Sequence, residues 1–220
     1  MPTLLLTGAN RGIGKRLAEL YAEDGWDVIA AVRSPDTYDG PGDALPLDVT
    51  DAESIDAVAN TLSGRPIDVL WNNAGVYLDK NVPLSQLNSD AWEETFRVNT
   101  IAPIMLARAL MNNVLASDER KMAFTSSKMG SIGLVGSGAY AYRSSKTALN
   151  MAVALLNQEV GGRGGKTVLL HPGWVRTDMG GPSADIDTDT SAGGMKSVVD
   201  GLSDAQSGSF MNYDGKEFPW

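Results

Sequence analysis

Tyr142 and Lys146 lie four residues apart in AYAYRSSKTALNMAVALLNQEVGG, residues 139–162, a run whose apolar spacing predicts a long helix. At that spacing both side chains project from one helix face and can serve one site. A phenol with a pKa of about 10 is a poor base near neutrality, but a nearby ammonium stabilises phenolate and brings proton transfer within range. Tyr140 has no such partner, because Ser144 stands four residues after it. Ser126 and Ser127 close the apolar run KMAFTSS, 121–127. A hydroxyl at a strand end can hydrogen-bond a substrate oxygen and stabilise developing charge. Taken alone, Tyr142 is also an ordinary amphipathic-helix residue and Lys146 a solvated charge, so the other motifs decide.

A second set of residues suits a phosphorylated ligand. Gly8, Gly12 and Gly14 occur in TGANRGIG, between the apolar run TLLLTGA at 3–9 and the helical pattern GIGKRLAELYAEDG at 12–25. Missing side chains let the backbone turn tightly and approach a pyrophosphate at the helix N-terminus. The spacing departs from G-x-G-x-x-G, so a glycine loop without a ligand competes with this reading. Arg33 follows WDVIAAV, 26–32, where an NAD protein would carry an acid for the ribose 2′-hydroxyl. Asp27 begins that run and Asp36 lies beyond it, so neither supplies the acid. Arg33 together with Arg11, inside the glycine loop, suits a 2′-phosphate, which favours NADP(H) over NAD(H).

The elements that must position these residues alternate along the chain. Further strands are expected at ALPLDV (44–49), IDVLWNNAG (67–75), KTVLLHPG (166–173) and GSFMNYDG (208–215), with helices at 51–62, capped by Asp51, and at 89–116, capped by Ser89 and interrupted near Pro103. Strands apolar throughout, separated by helices, imply an α/β fold: one doubly wound (Rossmann) parallel sheet of about seven strands covered on both faces. In such sheets ligands bind at the carboxyl ends of the strands. Thr7 and Gly8, Arg33, Asp48, Asn72 to Gly75, Ser126 and Ser127, and Pro172 and Gly173 all fall at those exits. The polar, glycine-bounded stretch 180–194 is expected to be a mobile loop on the substrate side, within a single domain spanning 1–220.

Composition excludes several classes. The 220 residues are 43% hydrophobic and 20% charged, with Lys plus Arg 18 against Asp plus Glu 27, a net charge of −9. That field repels nucleic acid and anionic membranes. With no cysteine and His171 as the one histidine, disulfides, thiolate metal sites and a histidine metal cluster are excluded. The N-terminus lacks the pattern of a secretory signal, and no run reaches membrane-spanning length, so a cytoplasmic protein is expected.

TGxxxGxG at 7–14, NNAG at 72–75, Asn99, SS before MGSI at 126–132, YxxxK at 142–146 and PG at 172–173 occur in the order and approximate spacing of the short-chain dehydrogenase/reductase family, which the chain resembles along most of its length. SSKMGSI, AYAYRSSKTALNM, HPGWVRTDMGG and the terminal NYDGKEFPW further resemble its C-factor and sniffer-type carbonyl reductases.

The resemblance implies hydride transfer between NADP(H) and a small carbonyl or alcohol, with Tyr142 as general acid/base and Lys146 also holding the nicotinamide ribose. It selects Ser127 as the catalytic serine, three residues before Gly130, although the gap from Ser127 to Tyr142 implies a small insertion near 133–138. Asn99, a poor helix former within 89–116, is implied to disturb the helix locally and bind a water of a proton relay to the lysine. The implied cofactor contacts are Gly8, Asn10, Arg11, Gly12, Ile13, Gly14, Arg33, Asp48, Val49, Asn73, Ala74, Gly75, Tyr142, Lys146, Pro172, Gly173, Val175 and Thr177. Of these, Asp48 and Val49 face the adenine, and Val175 and Thr177 the nicotinamide carboxamide. Trp174 and Met179 line the substrate side or pack ordinarily, and His171 is a strand-end hydrogen-bonding residue. The family suggests a homo-oligomer, with a dimer favoured. Two other readings stay open: a cofactor-binding signalling or regulatory protein with little turnover, and an NAD-linked alcohol oxidation.

Overall fold

Seven strands of the computed structural model, which describes residues 1–220, form one sheet in the order β3-β2-β1-β4-β5-β6-β7, every pair parallel. They are β1 (Thr3–Thr7), β2 (Asp27–Val32), β3 (Asp43–Pro46), β4 (Val69–Asn72), β5 (Lys121–Thr125), β6 (Lys166–His171) and β7 (Ser209–Asn212). The order reverses between β1 and β4, the crevice where open parallel sheets bind ligands.

The two faces are read off the strands by their period of two. Leu5, Leu70, Phe124, Leu169 and Phe210 face one core, shared with the helices α2 (Ala52–Thr61), α4 (Ala102–Leu115) and α5 (Tyr140–Gly161). Leu4, Leu6, Trp71, Ala123, Leu170 and Met211 face the other, covered by α1 (Gly12–Glu23) and α6 (Thr188–Asp200). Each fully buried large apolar side chain contributes about 1.5–3 kcal/mol, so these two cores fix the sheet and thereby its strand ends. No helix is long and apolar enough to cross a membrane.

Local signals worked where they were short-range. Asp51 caps α2 by accepting from the Glu53 N–H. At the long helical run the cap moves by one residue. Asn88 is the N-cap of α3 (Ser89–Phe96), its Oδ1 accepting from Asp90 and Ala91 N–H groups, so Ser89 is the first helical residue. The expected break is a π-turn at Arg97–Ile101, in which the Ala102 N–H donates five residues back to Arg97. Pro103 has no N–H to give Asn99 the usual four-back bond, and the wider turn accommodates that loss. The expected loop at 180–194 is shorter than the sequence suggested. Asp187 caps Thr190 and starts α6 at Thr188, so helix replaces its second half.

Candidate active site

The glycine loop is as tight as its residues require. Gly8 and Gly12 take positive φ (68° and 54°), and a Cβ on Gly14 would lie 2.1 Å from the Gly8 carbonyl. Positive φ strains a side chain at Gly8 and Gly12 and contact excludes one at Gly14, so the loop turns tightly into the N-terminus of α1. Asn10 and Arg11 at the loop tip are exposed, and Ile13 is half-buried.

Three strands are tied together beneath this loop. The Thr7 hydroxyl accepts from the N–H groups of Asn73 and Ala74 (2.9 and 3.0 Å). The Asn73 amide donates to the Thr7 and Gly8 carbonyls and accepts from the Thr125 hydroxyl. The Asn73 side chain thus serves the frame, which leaves backbone as its means of touching a ligand.

At the exits of β2 and β3, Arg33 is exposed and its charge helps hold the Asp48 carboxyl below the usual range, after the dominant hydrogen bonds from Thr50. Val49 is half-buried beside it. Arg11 is turned elsewhere: it pairs with Asp178 at 2.9 Å, both side chains being largely exposed. The structure therefore puts Arg33 with Asp48 but directs Arg11 toward the segment after β6.

That segment begins with Pro172, whose carbonyl accepts from the Ser191 hydroxyl, and Gly173, where a Cβ would lie 2.6 Å from Ile186. A bridge between Val175 and Ile186 folds the chain back on itself. Trp174 O and Arg176 N–H carry that bridge, so the Val175 N–H is not used by it. The Thr177 methyl lies 3.3 Å from where a Gly12 Cβ would stand, which places this segment against the glycine loop. Trp174 (47% exposed) and Met179 (40%) both remain accessible.

Tyr142, Lys146, Ser127 and Asn99 converge although they come from α5, the end of β5 and the π-turn. All four are buried. Lys146 Nζ donates to the Thr125 carbonyl at 2.8 Å and lies 5.8 Å from the Tyr142 ring centroid. Asn99 Oδ1 and Lys146 Nζ both border Gly75, 3.2 and 3.7 Å from the place of its missing Cβ, so a side chain there would intrude between them. The Asn99 side chain itself is spent on protein, bonding both backbone groups of Val76 and the Ser145 hydroxyl. Ser127 accepts from the Met129 N–H, while Ser126 donates to Asn150 Oδ1 at 2.6 Å and is structural.

The charge states differ from the simple phenol–ammonium picture. Burial pushes the Tyr142 phenol up to about 12, against an opposing interaction with the Ser127 hydroxyl. Burial also pushes Lys146 down to about 8. In the protein alone, then, desolvation governs both groups, and Tyr142 is a protonated phenol at neutral pH. His171 is likewise driven down to about 3 by burial and by the charge of Lys128. Its Nδ1 finds no partner and its ring packs on Phe218, so only its backbone behaves as the hydrogen-bonding residue expected.

Tyr77 and Asp79 carry no sequence signal of a site. The Tyr77 ring stacks on Tyr142 with centroids 4.3 Å apart, and Asp79 accepts from the N–H groups of Ala141 and Tyr142.

A parallel seven-stranded sheet with a glycine cradle after β1 and a buried tyrosine–lysine pair at the exits of β4 and β5 is the architecture of a Rossmann-type oxidoreductase. The chain belongs to the short-chain dehydrogenase/reductase family, whose short chain dehydrogenase model matches residues 2–187. It is 42% identical to the C-signal of Myxococcus xanthus over 165 residues, 74% of this chain and 99% of that protein. It superposes on the carbonyl reductase Sniffer of D. melanogaster with a TM-score of 0.92 at 31% identity, all of both chains being covered. The NADPH-bound carbonyl reductase from chicken fatty liver gives a TM-score of 0.90 at 32% identity, over 100% of this chain and 99% of that one.

Proposed function

We propose that this protein is an NADP(H)-dependent carbonyl reductase in which Tyr142 gives its proton to the substrate oxygen. The observation that carries the reading is the burial of Tyr142 and Lys146 beside Ser127 at the exits of β4 and β5, with the phenol held protonated near pH 7. The glycine cradle fits a dinucleotide pyrophosphate, since positive φ at Gly8 and Gly12 and the bare contact of Gly14 with the Gly8 carbonyl turn the loop tightly into the N-terminus of α1. Gly8, Gly12, Ile13 and Gly14 would hold that group, Arg33 and Arg11 the 2′-phosphate, Asp48 and Val49 the adenine. Asn73, Ala74, Gly75, Pro172, Gly173, Val175 and Thr177 would wall the remainder. The bound cofactor supplies hydride.

Each residue of the chain then has one task. Ser127 donates a hydrogen bond to the substrate oxygen and holds it near the phenol. Tyr142 releases its proton to that oxygen as negative charge develops, and the Lys146 cation favours the phenolate left behind. Trp174 and Met179, both accessible, would border the entrance for a small carbonyl. Met151 and Leu155, one turn apart on α5, are more than 60% exposed and support a homodimer through the helices.

A second reading, a cofactor-binding signalling protein with little turnover, is favoured by the similarity to the C-signal of Myxococcus xanthus. One experiment separates the two. The purified protein is titrated with NADPH and NADH, then followed at the nicotinamide absorbance band with ketones, quinones and aldehydes. Carbonyl-dependent NADPH oxidation, abolished in Tyr142→Phe with NADPH binding intact, supports the reductase. Tight binding with no oxidation across the panel supports the signalling protein, and unchanged turnover in Tyr142→Phe removes Tyr142 from its role.

A further inference from the structure

The first turn of α5 is built in a way its own residues cannot sustain. Gly138 and Ala139 enter it with positive φ (70° and 54°), and Ala139 is an N-cap with no side-chain acceptor. An uncapped start leaves amide donors without partners and frays. Tyr142 is the third residue of that helix, so fraying there would move the phenol.

The missing acceptor arrives from 62 residues away in sequence. One oxygen of Asp79 accepts from the Ala141 N–H at 2.7 Å and the other from the Tyr142 N–H at 3.2 Å. These are the second and third helical amides, the ones an N-cap side chain normally serves. A carboxylate is also the group that a helix N-terminus favours. Asp79 is only 3% exposed, so it is held in place rather than resting on the surface. Two residues earlier Tyr77 stacks on the Tyr142 ring, tilted by 21°, and one residue before that Val76 is bonded at both backbone groups to Asn99. The segment 76–79 is thus anchored to the π-turn at one end and grips Tyr142 at two points, ring and backbone.

We infer that Asp79 is a positioning residue for Tyr142. Its carboxylate fixes the start of α5, and with Tyr77 against the ring it sets where the phenol stands relative to Ser127 and Lys146. The catalytic consequence rests on Tyr142 being the proton donor; the positional claim does not.

The test compares Asp79→Ala, which removes both acceptors, with Asp79→Asn, which keeps one. In the cofactor-free protein, the Tyr142 ring resonances, assigned by their loss in Tyr142→Phe, should shift in Asp79→Ala and return toward wild type in Asp79→Asn. With NADPH and a carbonyl that the wild type reduces, kcat per NADPH-binding site should fall at least about tenfold in Asp79→Ala. KM should stay within about twofold, and Asp79→Asn should recover to within about threefold of wild type. Unmoved ring resonances would overturn the inference, as would a normal kcat per site in Asp79→Ala. If Asp79→Ala does not fold, Asp79→Ser, whose hydroxyl can serve one amide, is read by the same two measurements. A wild type with no turnover would defeat the reductase reading while the ring resonances still decide the placement.

Discussion

Asn99 holds Val76 by both of its backbone polar groups: Oδ1 accepts from the Val76 N–H and Nδ2 donates to the Val76 carbonyl, each at 2.9 Å. The side chain thereby acts like a short piece of neighbouring strand, completing the hydrogen bonding of a segment that has already left β4. The π-turn makes this possible, because it aims Asn99 out of the helix and toward the strand exits.

Replacing Asn99 by Leu, similar in volume, should therefore leave two backbone groups of Val76 without partners. The expected loss is about 2–3 kcal/mol of unfolding free energy, seen as a lower urea midpoint at unchanged slope. Turnover should fall as well, since the segment that carries Tyr77 and Asp79 loses its anchor. A midpoint equal to wild type would show that Asn99 does not secure this segment.

The pH dependence of the proposed carbonyl reduction follows from the two buried groups. Below about 8 Lys146 is a cation and Tyr142 a protonated phenol, the states that reduction uses. As pH rises through about 8 the lysine loses its charge and the phenolate product of proton donation loses its support. kcat/KM should be level on the acid side of that value and decline above it. Lys146→Arg, which keeps its charge to much higher pH, should carry the decline upward if it is active. A wild-type profile that climbs steadily from neutrality to pH 10 would contradict the assignment.

The residues of the candidate site were legible because their signals are local. Glycines between a strand and a helix, Tyr142 and Lys146 one turn apart, and Ser127 at the end of an apolar strand each carry meaning within a few residues. Apolar strands alternating with helices were enough to give a parallel sheet, and all seven strands stand where the pattern put them, with ends displaced by a few residues. Asp79 and Tyr77 were invisible for the opposite reason. Their partner Tyr142 lies more than 60 residues away, and a lone Asp in a polar segment resembles any solvated acid. The charge states were also hidden, because desolvation depends on how deeply the fold buries a group. Spacing alone suggested a phenol lowered by its lysine, whereas burial raises it.

Selection of the 2′-phosphate should reside in Arg33 and Arg11. The Arg11–Asp178 pair has both side chains more than 70% exposed, so it is worth under about 1 kcal/mol and yields readily to a bound phosphate. Removing both guanidiniums with Arg11→Ser and Arg33→Ser should weaken NADPH binding by about tenfold to a hundredfold, from the loss of charge-assisted hydrogen bonds. NADH, which lacks the phosphate, should change by no more than about threefold. Isothermal titration of both cofactors reads the difference, and an equal loss for the two would show that these arginines do not read the phosphate.

Lys146 should also be costly to stability, in a direction that can be measured. Its pKa falls from 10.5 in the unfolded chain to about 8 in the folded one, so between those values the unfolded state holds more protons and stability rises with pH. At neutral pH the full penalty applies, about 3 kcal/mol from the size of the shift. Lys146→Met keeps the length and removes the charge, although it also leaves the Thr125 carbonyl without its donor. The variant should therefore be more stable than wild type at pH 7 by about 1–3 kcal/mol, while its carbonyl reduction is lost. The advantage should shrink as pH approaches 10, below the range where Tyr142, raised to about 12, begins to act in the opposite sense. Urea unfolding of both proteins at pH 7 and pH 9.5 tests this, the higher pH being set by the window of about 8 to 10.5. A variant less stable than wild type at pH 7 would mean that the bond to Thr125 outweighs the cost of burying the ammonium.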